Sequence, residues 1–275
     1  MRKRVEIPNV DDLLLDEDKD LQKDPRFVTA LARGLDVLRA FRRGDPPLGN
    51  QELAERTGLP KPTISRLSFT LSRLGFLVYD GATGKYRLGT PVLSLGYTAL
   101  SGLGIRSVAR PLMQELADYS ALQVALGSRD RLSMVYLESC RGNSPVILPL
   151  DVGSHIKLGT TAMGLAYLAG LPDAQRAALM LRIEEHEGER WPMVRDGILA
   201  AVEQYRTKGY CTSIGAWKAE VNAVGVPLVP HDGSPMLAFN LGGPAFLVDP
   251  KQLDDDFGPR LAAMVRRIDA ALFNA

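Results

Sequence analysis

The residues that could do covalent or metal chemistry are scattered along this chain. His155, His186 and His231 show no metal-ligand spacing with one another or with Cys140 and Cys211, so no metal site is expected. Gly159-Thr-Thr-Ala-Met-Gly164 has the glycine spacing of a phosphate loop, but Leu165-Ala166 stands where that loop needs Lys and Ser/Thr. Gly142-Asn-Ser-Pro-Val146 lacks the second glycine of a nucleophile elbow. No cofactor is expected either. Polar chemistry is instead concentrated between Lys61 and Arg73, where Pro62, Ser65, Arg66, Phe69 and Arg73 fall on one side of a short helix, with Lys61 and Thr63 in its first turn. Exposed arginine and hydroxyl groups near a helix start can reach base edges and phosphates in a DNA major groove.

Three short helices must position that face. In the first, Val28 to Arg42, Leu31, Leu35 and Leu38 recur at helical spacing and predict a buried stripe. A loop through Gly44 and Pro46-Pro47 ends it. The second helix, Gln51 to Thr57, takes Asn50 as its expected N-cap and Gly58 as the residue able to adopt positive φ at its end. Pro60 and Pro62 fit only a helix's first turn, so the third helix starts near Lys61 and runs to about Leu74, where Gly75 stops it. Ile64, Leu67, Leu71 and Leu74 form its expected core stripe. Two short extended runs follow, Phe76–Tyr79 and Lys85–Leu88, separated by Asp-Gly-Ala-Thr-Gly84. A hairpin directly after such a helix makes a winged helix-turn-helix, with Lys85 and Arg87 placed to reach phosphate.

Charge supports this reading. The net charge is only +1, yet residues 26–90 hold eleven Lys or Arg against five Asp or Glu, while the segments on either side are mildly acidic. A basic block of this size is the footprint of a nucleic-acid-binding module joined to something else. With 45% apolar and 24% charged residues, disordered, collagen-like and disulfide-dense classes are excluded. The uncharged run Thr90–Ile105 is too short and too rich in Gly, Pro, Ser and Thr to span a bilayer. No membrane partner and a cytoplasmic location are expected, with residues 1–25 as a flexible arm.

The segment from Thr90 reads as a helix capped by Thr90, with Pro91 in its first turn and an apolar edge of Val92, Leu95, Ala99 and Leu103. Beyond it, residues 106–275 read as α+β. The expected order is a helix (Arg106–Ser120), strands (Gln123–Ser128, Ser133–Ser139, Val146–Leu150), helices (Thr161–Ala169, Pro172–Arg182, Arg195–Lys208), strands (Tyr210–Ser213, Val221–Val229, Met236–Leu241) and a last helix (Pro250–Phe273). Hairpins at Arg129-Asp130 and His231–Ser234 imply an antiparallel sheet flanked by helices. The glycine-bounded start of the helix at Thr161 leaves N–H groups free for a small carboxylate.

Leu35-Asp-Val-Leu38, Glu52-Leu-Ala-Glu-Arg-Thr-Gly-Leu-Pro60, Lys61-Pro-Thr-Ile-Ser-Arg-Leu67, Leu74-Gly-Phe76 and Tyr86-Arg-Leu-Gly89 closely resemble the N-terminal domain of the IclR family of bacterial transcriptional regulators. The resemblance continues for about 240 residues. It implies a winged helix-turn-helix at 26–90, a dimerising linker helix at 91–105 and a GAF-like effector-binding domain at 106–275. It further implies effector contacts at Ala162, Met163, Ser213, Val221, Ala223, Asn240 and Gly242, beside Thr161. Phe69, Leu165 and Ser213 depart from residues usual or frequent in the family, polar, lysine and acidic respectively. The expected function is a sequence-specific DNA-binding transcriptional regulator controlled by a small aromatic or short-chain organic acid. It would act as a homodimer or homotetramer on a palindromic or repeated double-stranded operator, without catalysis. The alternative is an enzyme or ligand-storage module that a basic domain tethers to a partner; a gel shift on the chain's own upstream DNA separates the two.

Overall fold

The computed structural model describes residues 24–144, 146 and 148–273. The expected arm, residues 1–25, thus lies almost wholly outside the described residues. The chain divides into two compact units at Leu103/Gly104.

The first unit orders α1 (Thr29–Arg39), α2 (Asn50–Thr57), α3 (Lys61–Arg73), a hairpin of β1 (Leu77–Asp80) and β2 (Lys85–Leu88), and α4 (Thr90–Ser101). Val37, Leu48, Leu53, Ile64, Leu77 and Tyr86 form its small core. Leu48 bridges to Tyr86 and ties the loop before α2 to the wing. Arg56 staples the end of α1 to α2, donating from Nη1 to the Ala40 carbonyl at 2.8 Å and pairing with Asp45.

The α1 stripe differs from expectation. Leu31 and Leu35 are exposed, and Val37 is the buried residue, because the core is short and α1 meets it only through its last turn. Leu74 is also exposed, one residue beyond α3. Two caps move by one position. Gly49 precedes α2 and its N–H is held by the Glu52 carboxylate at 3.1 Å, so Asn50 is inside the helix. Gly89, not Thr90, caps α4. Gly58 and Gly75 take positive φ, as the sequence demands.

The second unit contains α5 (Ile105–Ser120), β3 (Gln123–Asp130), β4 (Ser133–Arg141), β5 (His155–Lys157), α6 (Ala162–Gly170), α7 (Asp173–Glu187), α8 (Trp191–Lys208), β6 (Cys211–Ile214), β7 (Val221–Leu228) and β8 (Leu237–Pro244). A turn at Pro250–Gln252 and a π-helical stretch, Leu253–Phe257, lead into α9 (Gly258–Phe273). The sheet is antiparallel throughout, in the order β5-β4-β3-β8-β7-β6. Helices α6, α7 and α8 share a core with one face of it, while α5 and α9 pack on strands from the other.

Three sequence expectations shift here. The β3–β4 turn is Arg131-Leu132 rather than Arg129-Asp130, since Arg129 is buried with its guanidinium 5.8 Å from the Tyr167 ring centre, which keeps the strand going. Among the described residues of Val146–Leu150 there is no strand, because the Leu150 carbonyl is taken by the Gln123 amide and the Arg141 guanidinium, each at 2.8 Å. The strand that pairs with β4 is β5, and α8 begins at Trp191, one turn before the expected Arg195.

Leu137 is an extra residue in β4: Leu126 of β3 faces Glu138, but the next residue, Gly127, faces Tyr136. Such a bulge reverses which face the following side chains occupy. Met134 and Tyr136 therefore join the core under α6, whereas Glu138 and Cys140 turn to α5. Buried Glu138 accepts from Arg106 (2.9 and 3.1 Å) and Arg110 (2.7 Å) at the start of α5.

Candidate functional site

On the first unit, α3 turns Ile64 and Ser68 inward and leaves Lys61, Pro62, Ser65, Arg66, Phe69 and Arg73 exposed, with Thr63 half-buried. Phe69 is 65% exposed, a large apolar group with no cover in its own unit. The helix is held from both sides, by α2 through Leu53 and by the wing through Leu77 and Tyr86. Arg87 is exposed on β2. Lys85 is not a free cation, for its Nζ lies 3.3 Å from Glu52 Oε1. Glu52 is held below the usual carboxylate range by its own backbone amide and then by Lys85. Together these groups form a convex cationic surface at a helix start, the shape and charge that enter a major groove.

On the second unit, a small pocket opens on the α6 face of the sheet. Thr161, Ala162, Ser213, Val221, Ala223, Asn240 and Gly242 line it, seven of the eight residues expected there. Met163 does not. It is fully buried under β3, where its sulfur would lie 2.4 Å from a Cβ placed on Gly127. The walls that sequence reasoning missed are Gln123, Tyr136, Leu148, Leu150, Ile156 and Trp217. Gln123 carried a signal, as a polar residue heading an apolar strand. Tyr136 carried none, since only the bulge turns it inward.

Strand register assembles the floor. Ser213 faces Ala223, Ala223 faces Gly242, Gly242 faces Gln123, and Gln123 faces Arg141, so one row of side chains crosses five strands. Helix α6 can approach this floor because Gly225 has no side chain; a Cβ there would meet the Ala162 carbonyl at 2.2 Å.

Several polar groups on the walls are already engaged. Thr161 caps α6, accepting from the Gly164 N–H at 3.2 Å and donating to the Lys157 carbonyl at 2.6 Å. Ser213 donates to the Thr160 carbonyl at 2.8 Å. Asn222 is structural, bonded to Val248 and Gly215. Asn240 differs. Its Nδ2 lies 3.5 Å from the Tyr136 hydroxyl, and its buried Oδ1 has no partner. Burial pushes the Tyr136 hydroxyl up to about 12, so it stays protonated and able to donate. No charged side chain lines this cavity among the described residues. The arrangement can hold an apolar body and exchange hydrogen bonds with it at the Tyr136–Asn240 end.

Burial also raises the thiols of Cys140 and Cys211, to about 11 and about 12, which leaves both unreactive core groups. No cluster of metal-ligating side chains occurs among the described residues. No single helix among them is long and apolar enough to cross a membrane.

Two family models match the chain: an IclR helix-turn-helix domain over residues 30–81 and the bacterial transcriptional regulator IclR C-terminal domain over residues 97–270. The chain belongs to the IclR family of bacterial transcriptional regulators. The HTH-type transcriptional regulator TsaQ1/TsaQ2 of Comamonas testosteroni is 37% identical over 248 residues, which are 90% of this chain and 89% of that protein. A crystal structure of an IclR family transcriptional regulator from Brucella abortus is 47% identical, with a TM-score of 0.85 over 94% of this chain and 97% of that one. An IclR homolog from Microbacterium hydrocarbonoxydans, crystallised with 4-hydroxybenzoate, shares the fold at 20% identity, with a TM-score of 0.66 over 88% of this chain and 98% of that one. The chain is therefore a DNA-binding transcriptional regulator and not an enzyme.

Proposed function

We propose that this IclR-family regulator is a cytoplasmic protein that binds a palindromic or repeated operator as a homodimer or homotetramer and responds to a small organic acid, aromatic or short-chain. The observation that carries the effector half of this reading is the orphaned Asn240 Oδ1 in the cavity. A buried polar atom without a partner costs about 1–3 kcal/mol, and a ligand hydroxyl or amide that donates to it removes that cost. The Microbacterium hydrocarbonoxydans homolog holds 4-hydroxybenzoate, a molecule with an apolar ring and a polar group at each end. A pocket whose walls are mostly apolar, with two hydrogen-bonding groups at one end, suits the same class of ligand.

Assembly has its own support. No residue of α4 is buried, and Leu93, Leu95 and Tyr97 stand exposed along it, an apolar helix that a second copy would cover. One winged helix makes few base contacts, and two on one duplex supply useful specificity.

The test is a gel shift of the full chain on its own upstream DNA, with and without a panel of catabolic acids, repeated with Asn240→Leu. The expected result is a shifted complex whose midpoint moves with one or more acids in the wild type and with none in Asn240→Leu. Failure to shift any upstream segment refutes the operator reading, and an unchanged acid response in Asn240→Leu places the ligand elsewhere.

A further inference from the structure

The cavity is neutral, yet the row of residues that forms its floor does not stop at its wall. Past Gly242 and Gln123 the row continues to Arg141, which lines a second small pocket that shares Gln123 and Gly242 with the first. Arg141 and Gln123 are cross-strand neighbours whose side chains meet on one acceptor, the Leu150 carbonyl, at 2.8 Å each. The guanidinium is thus fixed at the rim of the neutral cavity by a group that belongs to its wall. Its other partner is Asp151, 3.3 Å away, in an ion pair about a third to a half exposed. Its Nε is buried and has no acceptor.

We propose that Arg141 is the anion subsite of the effector site, so that the ligand lies along the Ala223–Gly242–Gln123 row with its carboxylate or sulfonate on the Arg141 guanidinium. This deepens the small-acid reading and rests on it. Three features favour Arg141 over the start of α6. The Thr161 hydroxyl and the Gly164 N–H at that helix start already bond to each other. A guanidinium offers a full charge and a planar donor fork that matches a carboxylate or sulfonate, where a helix end offers a partial charge. From Gly242 to Arg141 is two strand spacings, about 10 Å, comparable to the length of a para-substituted aromatic acid together with one hydrogen bond. Gly242 adds no side chain to that path, and a Cβ there would clash with the Ala223 methyl at 2.5 Å.

The experiment is calorimetry on the full chain with matched pairs of probes: 4-hydroxybenzoate and benzoate, each against its methyl ester. The wild type is expected to bind at least one acid about tenfold or more tightly than its ester, the range for a charge-assisted hydrogen bond. In Arg141→Gln that preference shrinks to about twofold or less, and the ester is unaffected. Asp151→Asn, which frees the guanidinium, tightens acid binding about two- to threefold, a gain that no folding defect produces. An acid preference that survives in Arg141→Gln overturns the subsite. So do esters that match the acids in the wild type, although the cavity reading then stands. If no acid and no ester binds, the small-acid reading falls and the subsite falls with it.

Discussion

The two units solve the problem of presenting a site in opposite ways. The first displays it on a convex surface: one helix, α3, carries most of the groups, and a core of a few residues has only to hold that helix still. The second builds its site inward, from side chains on β3, β4, β6, β7 and β8 together with the start of α6, and buries it. A surface site is a matter of one helix's periodicity. An interior site is a matter of register, in which residues far apart in sequence become neighbours. The surface should therefore tolerate substitution with little loss of stability, while the interior should not.

That contrast can be broken by experiment. The largest effect is expected from Glu138→Ala, which strands Arg106 and Arg110 against the sheet and should destabilise the second unit by about 3 kcal/mol, the low end for a broken buried ion pair because Arg110 is half-exposed. Both tryptophans, Trp191 and Trp217, belong to this unit, so denaturation followed by their fluorescence reads it alone. Arg66→Ala, by contrast, should leave unfolding unchanged within about 0.5 kcal/mol yet cost about 1–3 kcal/mol of base discrimination. A variant that still footprints the same operator at the same concentration would remove Arg66 from the interface.

A third effect concerns alkaline pH. The folded-state value of Tyr136, raised to about 12, exceeds its unfolded value near 10. Its contribution to stability is then fully present below about pH 10 and disappears as pH climbs toward 12. Tyr136→Phe should flatten that part of the denaturation profile, and an unaltered alkaline limb would contradict the burial argument. The smallest effect belongs to the wing. Lys85→Ala should weaken binding to all sequences alike and lower the salt slope by about one; an unchanged slope would mean that the Glu52 pair keeps Lys85 off phosphate.

The same contrast explains what could be read from the sequence. Helix starts and stops in the first unit are written locally, in Pro60, Pro62, Gly58 and Gly75, and α3 follows them closely. The buried side of α1 was misjudged because periodicity reports that a stripe exists and not how far the core extends, and Leu31 and Leu35 lie beyond it. In the second unit hairpins give the pairs β3–β4, β6–β7 and β7–β8 but not the central β3–β8 pair, and no local pattern announces that Leu137 is one residue too many. Six cavity residues came from family resemblance alone, and Thr161 from the helix start that it caps. Gln123 and Tyr136 depend on register and Trp217 on the path of the β6–β7 loop, so all three went unseen, and Met163 was misplaced because its neighbour Ala162 faces the cavity while Met163 itself faces Gly127.

Leu137 also limits how this protein can be recombined with its relatives. Because the bulge puts Tyr136 on one face of the sheet and Glu138 on the other, the one-residue offset between β3 and β4 is part of both surroundings. Were Leu137 taken into the ladder as an ordinary paired residue, Tyr136 and Glu138 would share a face, sending either the carboxylate into the apolar side or the phenol toward α5. A hybrid chain whose crossover falls between β3 and Cys140 must therefore keep the two strands' one-residue offset, whereas a junction in the connection between β7 and β8, through the exposed residues 231–235, carries no such constraint.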